Sequence, residues 1–262
     1  GATNTMPVNI GRVSNIGHEI TVAWQQRAGE FQYNVGFNAS FNKNEVKELG
    51  TEGAAPLVSP DGINRTENGR SMSEIYGYKA VGMFTSQEQV DEYNARAQAA
   101  GKPWYWRQNT GVGDLIFDDC GQGYVDENCK DYIGNPWPKM NYGITLSAQW
   151  RGIDVNVLFQ GAAGFEIYNA VKGYTQTFAT DGNTTMDIYR CSFFGDNGLT
   201  DQPRCGMINE SGSWVGDPSG NYGTISSFNV EKGDYLKCKN LVVGYTLPQK
   251  WTSKAFMSKV RV

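Results

Sequence analysis

Phe31-Gln32-Tyr33-Asn34-Val35-Gly36-Phe37-Asn38-Ala39-Ser40-Phe41-Asn42 alternates without a break. Every odd position is apolar and no even position is. Period two over this length is the signature of a strand with one greasy and one wet face. The pattern recurs in Met140 to Trp150, where Tyr142, Ile144, Leu146, Ala148 and Trp150 face Asn141, Gly143, Thr145, Ser147 and Gln149. Ile153 to Gln160 sets Ile153, Val155, Val157 and Phe159 on one side, and Ile16 to Gln25 does the same with Ile20, Val22 and Trp24. Asp234 to Leu247 ends with Leu241, Val243, Tyr245 and Leu247 on one face. Ala255 to Val262 reads as the beginning of a further strand. The sequence therefore predicts strands near 16–25, 31–42, 140–150, 153–160, 234–247 and 255–262.

Several of these runs approach the roughly 9–11 residues that a strand needs to cross a bilayer, against about 5–6 in most soluble sheets. Their connections alternate in length. Gln26 to Glu30, Arg151-Gly152 and Pro248 to Lys250 are short, whereas 43–138 and 161–232 are long. Short turns at one end and long loops at the other are the plan of an outer-membrane barrel. Trp24, Trp150, Tyr245 and Trp251 lie near strand ends, where an aromatic girdle belongs. The expected fold class is all-β: part of a large antiparallel transmembrane β-barrel with long extracellular loops and one short loop helix. A water-soluble β-sandwich that binds glycans is the competing reading. Six strands cannot close a wide barrel, and lipid does not tolerate an open sheet edge. The chain is thus expected to pair with strands outside it, and Gly1 and Val262 read as cuts in a longer polypeptide.

Composition agrees with many strands joined by loops. Of 262 residues 32 are glycine, 14 tyrosine and 7 tryptophan, and charged residues make up only 19%. An average soluble domain carries about 25% charge. The net charge of −4 argues against a nucleic-acid partner. No apolar run is long enough for a transmembrane helix, and residues 1–15 do not read as a signal peptide.

The first long loop contains a helix signal. Ser86 is a cap, Gln89 completes a capping box, and Gly101 sits where a helix ends. Trp104-Tyr105-Trp106 follows. Three consecutive aromatics are ligand-contact candidates, stacking on sugar rings or lining an entrance; the plainer reading packs them into a loop core. Asp118 to Cys129 then traces a D-x-[DN]-x-[DN]-G calcium loop, with Asp118 at position 1, Gly123 at 6 and Asp126 at 9. Positions 3, 5 and 12 are Cys120, Gln122 and Cys129. Sulfur is a poor ligand for a hard cation. A Cys120–Cys129 disulfide closing the loop in place of a metal is the simpler reading, which leaves Asp118 and Asp126 as weak metal candidates. Cys191 and Cys205 form a second close pair in the second loop, and local pairs suit an oxidising compartment. Cys238 lies in a strand pattern and is read as a buried or lipid-facing hydrophobe.

Catalytic signatures are missing. His18 is the only histidine, so no His-based triad or H-E-x-x-H site is possible. No G-x-S-x-G occurs. The carboxylates Asp118 and Asp126 lie in one compact loop and not at strand ends lining a cleft. No enzymatic activity, cofactor or metal is expected.

Five blocks then resemble one family, the SusC/RagA-type TonB-linked outer-membrane transporters of Bacteroidetes. They are Pro7 to Ile20, Asn42-Lys43-Asn44-Glu45-Val46, Tyr76 to Phe84 with Ser86 to Val90 after it, Gly113-Asp114 through Ile133-Gly134-Asn135-Pro136, and Gly233 to Lys237 through Gly244 to Pro248. The acidic loop departs from the family pattern at Cys120, Gln122 and Cys129, where Asn, Asp and Asp are usual. The resemblance implies that residues 1–262 are a C-terminal portion of a barrel of roughly 22 strands, the width of plugged outer-membrane transporters, with the plug domain lying upstream. It also implies a SusD-like surface lipoprotein and a TonB complex reached through the N-terminal region. The imported ligand would be an oligosaccharide or a peptide, the location the bacterial outer membrane, and the surrounding medium the lipid bilayer.

Overall fold

A computed structural model describes residues 11–50, 53–177, 183–186 and 202–262. Five antiparallel strands form its wall: β1 (Arg12–Ala28), β2 (Phe31–Glu48), β3 (Met140–Trp150), β4 (Ile153–Ala163) and β5 (Tyr235–Tyr245), side by side in chain order. β1 and β2 have 17 and 18 residues, longer than the alternation indicated. At about 3.3 Å per residue β2 is roughly 60 Å long. Tilted by roughly 40°, it rises about 45 Å, beyond the apolar band of about 25 Å. The extra residues Lys43 to Glu48 carry the strand past that band, and there Asn44 and Val46 are buried while Lys43 and Lys47 are exposed, so the apolar parity of the lipid-facing stretch no longer holds.

Register puts the apolar residues on a single face. Val22 pairs with Phe37, Phe37 with Ile144 and Ile144 with Phe159. Ile20, Val22, Trp24, Phe37, Phe41, Leu241 and Val243 stay 39–65% exposed. Fully burying a large apolar side chain is worth roughly 1.5–3 kcal/mol, so half-burying these is worth about 5–10 kcal/mol. That equals the whole stability of many domains, and it is recovered only if the face is covered. A sandwich would cover it with a second sheet; among the described residues no sheet does. Lipid is the cover that fits.

A bulge interrupts β5. Leu158 pairs with Asn240 but Phe159 with Cys238, so Lys239 is the extra residue. Side-chain parity inverts there. Leu241 and Val243 share the apolar face with the even-numbered Leu236 and Cys238, and Cys238 is exposed on it. The Lys239 Nζ bonds the Gln160 Oε1 at 3.0 Å on the polar side.

Two connections at the lower end are tight. Gly29-Glu30 joins β1 to β2, and Arg151-Gly152, with φ of +48° and +88°, joins β3 to β4. Beyond β5 the sequence reading needs correcting. Residues 249–255 form short helical turns, and strand pairing resumes only at Val260 to Val262, opposite Tyr245 to Leu247. Ala255 to Met257 therefore belongs to the turn, not to a strand: Phe256 has φ +59° and is fully exposed.

At the upper end the long connections fold together. The first contains a four-stranded sheet (57–58, 64–66, 74–78, 130–134), a two-stranded one (80–83, 115–117) and α1 (Gln87–Ala99). The second contributes the pairs 166–168 with 230–232 and 206–208 with 214–216. The Ser86 side chain caps α1 by accepting the Gln89 amide. The Gln89 side chain reaches one residue further back than a capping box requires, accepting the Thr85 N–H at 2.8 Å. Gly101 and Lys102 amides donate to Gln98 and Ala97 at the other end, a Schellman ending.

Candidate functional site: a folded surface-loop unit

The loops meet the wall at Asn44, which is 5% exposed on β2. Its Nδ2 donates to Asn15 Oδ1 at 2.8 Å, and its Oδ1 accepts the Met72 amide at 2.8 Å. Asn135 continues the tie, donating to Ser71 Oγ and Glu74 Oε1, both at 3.1 Å, while its amide donates to Glu166 at 2.9 Å. Both asparagines belong to the sequence blocks that carry the resemblance. Of those blocks, Pro7 to Ile10 lies outside the described residues.

Phe84, Tyr105 and Phe117 form the loop core, all at most 2% exposed, with Val90 and Ala97 of α1 packed on them. Tyr93 meets Tyr105 edge-on at 4.8 Å. The Trp104-Tyr105-Trp106 segment is thus divided by its own backbone, since successive side chains of a non-helical segment point different ways. Tyr105 is buried, its hydroxyl donating to the Phe117 carbonyl, and burial raises its phenol pKa, so it is packed in the loop core and presents no open face to a ligand. Trp106 packs on Tyr78 and Phe117, and its Nε1 donates to the Ser219 carbonyl at 2.8 Å. Trp104 alone of the three is open to solvent, at 40%.

The two loops are joined by a buried polar knot that the sequence did not disclose. Asp114, fully buried, accepts from Arg204 Nε at 3.0 Å, Asn221 Nδ2 at 2.8 Å and the Gly111 amide at 2.8 Å. Arg204 Nη2 and Ser219 Oγ also donate to it. Asn221 Oδ1 accepts the Leu115 amide at 2.9 Å. Nearby, burial raises the Asp217 carboxyl pKa, although Asp217 accepts the Gly223 and Tyr222 amides.

Cys120 and Cys129 are disulfide-bonded. Asp118 Oδ1 accepts the Cys120 amide at 3.0 Å, and Asp126 Oδ1 accepts the Asn128 amide at 2.9 Å. Among the described residues no three His, Cys, Asp or Glu side chains are gathered to hold a metal ion. Cys205 is buried; Cys191 lies outside the described residues, so the second expected pair is not described.

No protein-family model matches the chain. TonB-dependent receptor P39 of Formosa agariphila is 40% identical over 96% of this chain and 26% of its own length. P3 of the same organism is 27% identical over 97% and 24%. TonB-dependent receptor SusC of Bacteroides thetaiotaomicron is 21% identical over 96% and 22%. The solved RagAB peptide transporter shares the fold, with a TM-score of 0.71 and 16% identity, over 96% of this chain and 24% of that one. The chain spans about a quarter of the length of these proteins. The fold and these relatives put its wall in the bacterial outer membrane. Over nearly its whole length the chain is therefore similar to SusC/RagA-type TonB-dependent outer-membrane transporters, matching about a quarter of each.

Proposed function

We propose that this chain supplies barrel wall and surface loops to a TonB-dependent importer of oligosaccharides or peptides. The observation that carries the reading is the pairing of one continuous apolar strand face with a folded, polar, aromatic-bearing unit at one end of the same strands. The wall has the chemistry to sit in lipid, and the loop unit has the order to present a surface. A SusD-like lipoprotein would dock on that unit, a TonB complex would act through a region N-terminal to this chain, and exposed Trp104 is the ligand-contact candidate that remains. A peptide ligand gains support from the RagAB likeness, since that protein is described as a peptide transporter. The role is passage, not catalysis.

The test is uptake by cells carrying the full-length protein, with labelled oligosaccharide and labelled peptide pools offered separately. Uptake of one pool that stops when TonB is deleted supports the proposal. Uptake indifferent to TonB makes the protein a passive porin. Recovery of the protein from cells without detergent would sink the membrane reading altogether.

A further inference from the structure

In a twelve-residue calcium loop the cation is held by side chains at positions 1, 3 and 5, a backbone carbonyl at 7, position 9 and a carboxylate at 12. Numbered from Asp118, position 7 is Tyr124, 9 is Asp126 and 12 is Cys129. The Gln122 Nε2 donates to atoms of all three: Tyr124 O at 3.1 Å, Asp126 Oδ1 at 3.0 Å and Cys129 Sγ at 3.2 Å. Gly123 keeps the sharp turn of position 6, with φ +85°. The backbone thus has the course of a cation loop, while a side-chain amide points its two N–H groups at the acceptors a cation would take. With two acceptors that are oxygens, the amide can only be oriented nitrogen inward. The same bond holds the Asp126 carboxyl below its ordinary pKa. Positions 3 and 12, which should supply oxygens, are instead joined as Cys120–Cys129. Asp119 is also engaged: its Oδ1 accepts the Gly121 amide at 3.0 Å, and it pairs with Arg96 in the last turn of α1. A calcium ion does not fit this donor set.

We propose that Gln122 and the Cys120–Cys129 disulfide together replace a bound cation, so that the order of this loop, and of the α1 end it holds, depends on redox state and not on calcium. Opening the loop takes two electrons and two protons, which convert the disulfide to two thiols; a dithiol supplies them and closes to its own cyclic disulfide. The inference stands on the loop geometry and does not require the transport reading.

The experiment follows hydrogen exchange of residues 118–130 and 94–102 in the full-length protein in detergent, with a calcium chelator or with a dithiol. Terbium luminescence, sensitised by Tyr124 within the loop, reports cation binding. The chelator is expected to change nothing, the dithiol to speed exchange at least tenfold, and terbium not to bind. A Cys120→Asn, Gln122→Asp, Cys129→Asp triple variant restores oxygens at positions 3, 5 and 12 and is expected to bind terbium, displaced by calcium. Chelator-sensitive exchange or terbium binding in the wild type overturns the proposal, as does a folded triple variant that ignores terbium. If the triple variant does not fold, the two wild-type measurements decide, with Cys120→Ser expected to reproduce the dithiol effect.

Discussion

Replacing Arg204 with alanine should loosen the loop unit and leave the wall intact. The guanidinium bonds Asp114 through Nε and Nη2, and Nη2 also reaches the Asn109 carbonyl at 2.7 Å. Asp114 is fully buried and Arg204 side-chain exposure is 12%, so the pair is shielded from solvent on both sides. Breaking a buried pair by removing one partner costs about 3–5 kcal/mol, because the other charge stays buried. Ser219, Asn221 and the Gly111 amide remain as donors to Asp114, so the lower figure applies. A loss of about 3 kcal/mol in a local opening equilibrium is roughly a 150-fold faster amide exchange. The assay is hydrogen exchange by mass spectrometry on full-length protein in detergent, followed on the segments 111–117 and 219–229. The β1–β2 and β3–β4 hairpins serve as internal controls. A change below threefold, or one spread equally over the wall strands, would refute the idea that this ion pair fastens the two loops to each other.

Lysine at Ile20, on the apolar face, should destabilise the full-length barrel by about 2–4 kcal/mol if it lies near the bilayer midplane, whereas lysine at the adjacent Thr21 should be near neutral; denaturant unfolding in lipid vesicles checks the contrast, and equal effects would refute the facing of β1. Alanine at Gly77 places a Cβ 2.4 Å from the Ile225 carbonyl oxygen and 2.8 Å from its Cγ2. That contact should break the 2.9 Å bond from the Tyr78 amide to Ile225 and lower the thermal midpoint of the loop unit by several degrees, read by near-ultraviolet circular dichroism. Asp217 provides a pH test. Its folded pKa is raised above 3.8 by burial, so its contribution to stability is fully present below about that pH and is lost as pH rises through the folded value. The stability of Asp217→Asn relative to wild type should therefore grow as pH rises from 3.8, and a flat difference would contradict the sign.

The wall was legible because lipid enforces period two. Phe31 to Asn42 announces β2, but the same strand continues to Glu48 through Asn42-Lys43-Asn44-Glu45-Val46, where the loops bury Asn44 and Val46 on the opposite parity and the alternation breaks. The bulge at Lys239 hid half of β5: Leu236 and Cys238 have the parity opposite to Leu241 and Val243, and only the register shows that they share a face. Ala255 to Val262 misled for the converse reason, since apolar residues of a turn at the membrane edge mimic a strand. Within the loops, the local signals at the ends of α1 were legible in the Ser86 cap and the Gly101 ending, whereas the Gln89 side chain reaches Thr85 and does not close the capping box. Long-range ones were not: the sequence shows no role for Asp114, because its partner Arg204 lies 90 residues away. Gln122 looked like a defect in a metal loop, and only its three acceptors give it a function.

Asn44 belongs to one sequence block and Asp114 and Asn135 to another, and each holds surface structure to wall or loop to loop. The blocks that made the chain recognisable are thus fastenings, while exposed Trp104 lies between them. That division has a thermodynamic consequence. Segments ordered in advance do not have to be ordered at binding, where each immobilised side chain costs about 0.5–1.5 kcal/mol. The apparent affinity of a partner that needs the ordered unit is scaled by the fraction of molecules in which it is ordered. A fastening far from the contact surface therefore acts on binding only when its loss makes the open form abundant. Arg204→Ala alone should leave affinity for ligand or lid nearly unchanged if the unit keeps several kcal/mol of stability. Combined with Gly77→Ala, which attacks a second fastening between the same two loops, it should weaken binding steeply although neither residue touches the partner. A weakening that is already complete in the single variant would place Arg204 in the contact surface itself, which its 12% side-chain exposure opposes.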